Sequence, residues 1–350
     1  MMAFCHLLHQ ETIIKTMSHP ILHVSRLAWP TNWSGIFQRE APLLLEIGFG
    51  TGDYLIRLAK SRPDYNVLGI EISLPSLRRG LKKMQRSGLS NLRLLQADSQ
   101  TAIWLLLKRE SIGEIVINFP DPWPKASHHH RRLLSERFLT LLGTRAMSGS
   151  RLDIATDHGE YAAEIRRNLE SSAHFDNRLS APYLSSDIPI LHTKYEMKAI
   201  SEGRTCYYFK YRRNSNTILE AFPILEERPL PHIVLKCPLP LNELRLEFRP
   251  FEIDHGDIHI KYLDLYQSTQ EDTLLAEVYV TEEPYHQHVC LAVRIRSAGD
   301  MVLSLHSVGF PRPTPGIHLA IHYLFEWIVT FDQDVSIITS TLKISSRNAI

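Results

Sequence analysis

Three glycines at alternate positions, Gly48, Gly50 and Gly52, follow directly on the apolar run Leu43–Ile47 and precede Asp53–Lys60, where Leu55, Ile56, Leu58 and Ala59 recur at helical spacing. A short uninterrupted apolar run reads as a strand buried on both faces, and the change of period after it reads as a helix. The unit is therefore strand, glycine turn, helix, and it repeats. Val67–Ile72, Leu92–Gln96, Ile115–Phe119 and Arg151–Ala155 read as further strands, with helices at Leu74–Ser87, Thr101–Lys108, Leu133–Arg145 and Tyr161–Ser171. In Leu74–Ser87 the apolar Leu77, Leu81 and Met84 face inward and Arg78, Arg79, Lys82, Lys83 and Arg86 outward. Such alternation implies a mostly parallel sheet covered by helices, with ligands received at the carboxyl ends of the strands.

The remainder of the chain has a different grammar. Ile233–Lys236, Leu244–Phe248, Ile258–Leu265, Leu274–Val280, Val289–Ile295 and Met301–His306 are short β-branched and aromatic runs separated by turn residues, and Ile317–Val329 follows as a helix. Charge divides at the same place. Residues 1–213 hold 29 Lys and Arg against 20 Asp and Glu, a balance of +9, and residues 214–350 hold 10 against 18, a balance of −8. Only the first part is suited to a polyanion. The expected organisation is an amino-terminal arm at 1–40, an α/β domain at 41–213 and a mainly β domain at 214–350. Four scattered cysteines, Cys5, Cys206, Cys237 and Cys290, form no CxxC pair, so neither a zinc site nor a disulfide framework is expected. No apolar stretch is long enough for a membrane span, and residues 1–15 lack the pattern of a secretory signal. The expected setting is the cytoplasm, as a monomer or homodimer.

The spacing of the glycines points to a ligand. Dinucleotide folds use GxGxxG because the pyrophosphate sits on the helix amino end, whereas GxGxG with an acidic residue two positions earlier, here Glu46, suits a ligand without phosphate. S-adenosylmethionine is such a ligand. Glu71, closing the second strand, is placed for ribose hydroxyls, and Asp98, after the third, for the adenine amino group. Taken singly, each carboxylate reads equally as a surface acid at a helix amino end.

The fourth strand leads into Asn118-Phe-Pro-Asp-Pro-Trp-Pro-Lys125, then His128-His-His-Arg-Arg132. Pro120, Pro122 and Pro124 narrow the directions available to Asp121, Trp123 and Lys125, as a reacting site requires. This segment, with Thr156-Asp-His-Gly-Glu-Tyr161 and Thr193-Lys-Tyr-Glu196 in order after it, resembles the tRNA (guanine-N7-)-methyltransferase family over roughly Leu43–Arg213. The resemblance implies a class I S-adenosylmethionine-dependent methyltransferase (Rossmann-like) fold with a mainly β carboxy-terminal extension domain. It implies S-adenosylmethionine as cofactor and tRNA as partner, with 7-methylguanosine as product. Glu46, Glu71, Asp98 and Asp121 match its cofactor positions; Lys125, Asp157, Thr193, Lys194, Tyr195 and Glu196 match its substrate positions. The resemblance implies Arg and Lys where this chain has Ser127 and His130, which weakens two phosphate-facing charges unless the histidine is protonated.

Guanine N7 carries an unprotonated lone pair, so methylation there needs positioning rather than a general base. Asp121 and Asp157 are the candidates to stabilise the cation that forms on the base. Arg131 and Arg132, with Arg137, are expected to meet phosphate. Thr193-x-x-Glu196 also has the form of a capping box. Consecutive histidines at 128–130 point in different directions and make no metal site. The rival readings are a methyltransferase of another substrate and a non-catalytic RNA-binding scaffold.

Overall fold

The computed structural model describes residues 21–218, 222–225, 228–269, 272–308 and 310–344. It divides the chain into two units, residues 1–225 and 226–350. The first contains strands β1 (Ile21–His23), β2 (Leu43–Ile47), β3 (Asn66–Glu71), β4 (Leu92–Gln96), β5 (Ile112–Asn118), β6 (Ala146–Thr156), β7 (Phe175–Asn177), β8 (Leu184–Ser186) and β9 (Cys206–Arg213). Its helices are α1 (Trp33–Phe37), α2 (Asp53–Ser61), α3 (Leu74–Ser87), α4 (Ser99–Leu106), α5 (Glu136–Arg145), α6 (Gly159–Ser171) and α7 (Lys194–Ser201).

Every residue of β2 is buried, and β2 lies between β3 and β5, parallel to both. The sheet order is β1-β4-β3-β2-β5-β6-β9-β7, with β8 also on β9. Strand order reverses between β2 and β5, so the carboxyl ends of β2, β3 and β5 open the crevice in which such sheets bind ligands. The glycine turn, Glu71 and the Asn118–Lys125 segment all start there. β9 runs antiparallel to β6.

Several boundaries differ from the sequence expectation for local reasons. The helix expected from Leu133 starts at Glu136, because the Ser135 hydroxyl accepts from Phe138 N–H (3.2 Å) and caps it. Part of the expected arm is strand: Ile21–His23 pairs in parallel with Leu94–Gln96. Trp29, Trp33 and Phe37 behind it are buried, while residues 1–20 lie outside the described part. The unit boundary falls at Leu225 rather than Asn214. Beyond Asn214 the chain still packs on helices α4 and α5, with Phe222 edge-on to Trp104 and Arg145 donating to Phe222 O (3.2 Å).

The second unit is one antiparallel sheet, ordered β11-β12-β13-β14-β15-β10-β16. Its strands are β10 (His232–Lys236), β11 (Phe251–His255), β12 (Ile258–Gln267), β13 (Thr273–Thr281), β14 (Gln287–Ile295), β15 (Met301–Leu305) and β16 (Ser336–Ser340). Alternate residues Leu274, Ala276, Val278 and Val280 are buried, the pattern of a sheet with one covered face. Helices α8 (Leu241–Glu247) and α9 (Pro315–Val329) complete the unit, and Ile317, Ile321, Leu324 and Ile328 of α9 belong to its core. The expected strand at Leu244–Phe248 is instead part of helix α8 and its end. Leu-Arg-Leu-Glu-Phe alternates as a strand would, but Leu241, Leu244 and Phe248 are the buried positions, a helical spacing. β11 and β16, not expected from sequence, form the two edges.

Candidate active site

The glycine turn is held from three sides. Gly48, Gly50 and Gly52 have φ of 71°, 55° and 78°, a left-handed conformation that side chains resist. Gly50 N–H donates to Glu71 Oε2 (2.9 Å), so the carboxylate expected to meet the ribose also braces the turn. Glu71 Oε1 accepts from Ser73 N–H (2.8 Å), which leaves each oxygen a lone pair for a ligand hydroxyl. Phe49, between the glycines, is buried against β3 and α3: a Cβ added at Gly69 would lie 2.7 Å from its ring, and one at Gly80 2.6 Å. Those two glycines make room for the ring that anchors the turn. The signals for them in sequence were a glycine inside a strand run and a glycine inside a helical pattern.

A cavity of about 350 Å³ opens above this turn, lined among others by Gly48, Glu71, Asp98, Asn118, Asp121 and Trp123, a size suited to a cofactor. Asp98 caps α4, accepting from Thr101 N–H (2.9 Å), and reaches the cavity with its exposed side. Asp121 stands exposed on the proline loop. That loop is strained, with φ of 52° at Phe119 and 42° at Trp123, conformations that persist only when the surroundings impose them. Phe119 N–H donates to Ala155 O (2.8 Å) at the start of the loop, and Arg132 Nε to Pro122 O (2.8 Å) in its middle.

Arg132 is therefore not presented to phosphate. It is buried, ion-paired with Glu160 (3.2 Å) and Glu164, and its guanidinium lies over the Tyr161 ring. Two carboxylates and a carbonyl draw it inward. Arg131 is exposed, 5.0 Å from the Trp123 ring centroid, and lines the cavity; Lys125 is exposed nearby in sequence. Arg137 lies over the Trp104 and Phe222 rings. Trp123 is half-buried between Arg131 and His128 and faces the cavity rather than the core.

A smaller pocket adjoins the first across Gly48, Asn118 and Phe119, with Glu46, Thr193, Lys194 and Tyr195 on its walls. Glu46 is 2% exposed, and burial pushes its carboxyl up from the ordinary 4.5 to about 8, with the Arg57 charge pulling the other way. Glu46 Oε2 and Asn118 Nδ2 have no hydrogen-bond partner among the described residues. A buried acceptor and a buried donor left open beside a cavity fit a ligand with an ammonium and a carboxylate, the amino-acid end of S-adenosylmethionine. A carboxyl raised on folding stabilises the fold fully below 4.5, and this contribution is lost as pH rises through about 8. Glu46→Gln, which cannot ionise, is expected to flatten the fall in Tm of the unliganded protein between about pH 4.5 and 8, checked by thermal unfolding across that range.

Segment 191–196 crosses over the turn and is latched to α2. Arg57 Nη2 donates to Leu191 O (2.7 Å) and His192 O (3.1 Å), and Lys194 pairs with Asp53 (3.1 Å), which Lys83 also holds (2.6 Å). Burial disfavours the Asp53 carboxylate, yet its contacts with Lys83, Thr51 and Lys194 outweigh this and hold it down at about 2. Tyr195 is thereby seated over Gly50, 3.5 Å from where a Cβ would stand, and lines both pockets. Neither Arg57 nor Asp53 stood out in sequence, because each reads as an ordinary exposed helix charge. Thr193 and Glu196 form a complete capping box, and Glu196 is fully buried, accepting from Ile190, Leu191 and Thr193 N–H and from Tyr208 OH. Its carboxylate is occupied in shaping the segment. Asp157, after β6, is ion-paired with Arg204, which Glu202 also holds (2.6 Å), and it lines neither of these pockets. Among the described residues no three His, Cys, Asp or Glu side chains cluster as a metal site would require.

A family model described as "Putative methyltransferase" matches residues 40–209. The tRNA (guanine-N(7)-)-methyltransferase of Thermus thermophilus is 33% identical over 301 residues, 85% of this chain and 92% of that protein. The chain belongs to the tRNA (guanine-N(7)-)-methyltransferase family. The Thermotoga maritima member is 30% identical across 85% of this chain and 93% of its own length. The Syntrophotalea carbinolica member matches 58% of this chain but 88% of itself, so some members of the family are shorter. Among solved structures, a 16S rRNA (adenine(1408)-N(1))-methyltransferase from Catenulisporales acidiphilia with cosubstrate SAM has a TM-score of 0.39 and 15% identity, over 52% of this chain and 90% of that one.

Proposed function

We propose that the chain transfers the methyl group of S-adenosylmethionine to N7 of a guanine in tRNA, in the cytoplasm, with Asp121 and Asp157 as its working carboxylates. The observation that carries this reading is the crevice itself. One wall is the glycine turn with Glu71 and Asp98, and the other is the strained Phe119–Trp123 loop with Asp121. When bound, the cofactor supplies an electrophilic methyl on a sulfonium. Glu71 and Asp98 would hold its nucleoside, and Glu46 and Asn118 its amino-acid end. No described helix is long and apolar enough to cross a membrane.

The protein's task is orientation. N7 has its own lone pair, so no proton has to leave before attack, and alignment of the base dominates the rate. Tyr195, seated over Gly50, and Trp123, across the cavity mouth, offer aromatic faces to a planar base. Asp121, on the cavity wall, would face the positive charge that develops on the ring, and a fixed carboxylate at a developing cation is stabilising without reorganisation. Asp157 can accept from guanine N1–H and the amino group, donors that adenine does not present together. Its present partner is Arg204, so the arriving base exchanges for a guanidinium. Asp157→Asn is expected to lower kcat/KM for tRNA by about 10²-fold with cofactor affinity unchanged, read from tRNA titrations beside cofactor binding. Loss of cofactor binding instead would move Asp157 out of the base site.

The direct test incubates purified protein with S-adenosylmethionine and tRNA lacking 7-methylguanosine, then digests the tRNA and identifies nucleosides by mass spectrometry. New 7-methylguanosine is the expected result. Cofactor binding without any methylated nucleoside would point to another substrate, and no cofactor binding would favour a scaffold.

A further inference from the structure

Helix α3 carries Arg78, Arg79, Lys82, Lys83 and Arg86 and no acidic residue. At about 100° per residue, Arg78, Lys82, Arg86 and Arg79 fall within an arc of about 100° on one side, and all four are exposed. The buried Leu77 and Gly80 lie on the opposite side. Lys83 turns away from the stripe to pair with Asp53 (2.6 Å). None of the other four has an ion-pair partner among the described residues. Spacing of four residues puts Arg78, Lys82 and Arg86 about 6 Å apart in sequence along the axis, and like charges at that spacing repel. Nothing on the helix offsets this, whereas an ordinary solvated face mixes signs. Arg86 alone is favoured by its place at the helix carboxyl end.

The stripe also has a defined position. Ile72, Ser73 and Ser76, at the start of α3, line the large cavity. The cations begin within a turn of that rim and continue to about 15 Å from Ser76. Arg131 lines the same cavity from the proline loop. Two basic elements thus border one crevice, with acids within it.

We propose that the α3 stripe, Arg78, Arg79, Lys82 and Arg86, is a docking surface for the phosphate backbone of the tRNA whose guanine enters the cavity. The proposal rests on the tRNA-methylation reading. A polyanion long enough to span the stripe while one of its bases occupies the site relieves the repulsion on α3 and supplies affinity without reading sequence. The stripe acts on binding, not on the methyl transfer itself.

The experiment compares the full chain with the variant Arg78→Gln/Arg79→Gln/Lys82→Gln/Arg86→Gln. tRNA affinity is measured by filter binding between about 50 and 200 mM salt, with S-adenosylmethionine affinity and circular dichroism measured alongside. The variant is expected to bind tRNA at least tenfold more weakly at low salt. Its slope of log affinity against log salt should be shallower by about 2 or more, since each lost phosphate contact removes about 0.7–0.9. Cofactor affinity and kcat at saturating tRNA should stay unchanged, and Arg78→Lys/Arg79→Lys/Arg86→Lys should restore the slope. An unchanged slope in the glutamine variant overturns the proposal, as does weaker binding that the lysine set fails to restore. Because binding is read without catalysis, a wild type that binds tRNA with the full slope but forms no 7-methylguanosine would overturn the function proposed above and leave the stripe standing.

Discussion

Gly69→Val is expected to remove cofactor binding and to lower the stability of the first unit by about 3 kcal/mol, although residue 69 lines neither pocket. A Cβ at this position would stand 2.4 Å from Leu55 Cδ2 and 2.7 Å from Phe49 Cδ1. Both side chains are buried in the cluster that packs α2 and α3 on the sheet. Leu55 is buried in that cluster, and Phe49 packs between Gly69 and Gly80, so relieving the overlap displaces the ring from its slot. The ring sits in the middle of the glycine turn, so its departure moves the backbone that faces the cavity. For a unit of this size the loss corresponds to roughly 6–12 °C in Tm. Thermal unfolding and calorimetric titration with S-adenosylmethionine give the two readouts. Retention of full cofactor affinity in a folded variant would separate the turn from its anchor.

Asp121→Asn is the second large effect. The residue is exposed on a loop whose shape is set elsewhere, by Phe119 N–H on Ala155 O and by Arg132 on Pro122 O. The amide therefore keeps the fold and much of the cofactor site and loses the negative charge. We expect kcat for tRNA methylation to fall by about 10²–10³-fold, the usual scale for removing one fixed charge-stabilising group. Cofactor affinity should fall by much less. Single-turnover methylation at saturating tRNA, set beside the cofactor dissociation constant, checks this. An equal loss in both would make Asp121 a cofactor ligand alone.

Arg132 shows how the two levels of description part. In sequence it stands beside Arg131 in a basic run and reads as a phosphate contact. In the fold it is the buried clamp of the proline loop, because Glu160 and Glu164 of α6 approach it from 28 and 32 residues away. Thr193-x-x-Glu196 parts differently. The capping box is complete, and its Glu196 carboxylate is spent on shaping the segment, while Tyr195 between them is the side chain that reaches both pockets. The reading of Leu244–Phe248 as strand failed because five residues of alternating polarity fit a short strand and one turn of helix equally well.

Local order was enough to read the mostly parallel sheet, the glycine turn, the acids that close β2 and β3, and the mainly β character of the carboxy-terminal part. Each is carried by a period, a run or a spacing along the chain, and those follow from backbone geometry alone. Only tertiary structure decided what Phe49 packs against, that Arg57 and Asp53 latch the 191–196 segment, that Glu46 and Asn118 keep open polar atoms, and that Arg132 points inward. These depend on side chains brought together across strands 20 to 140 residues apart in order of magnitude, where burial and pairing are set by neighbours that no local pattern names.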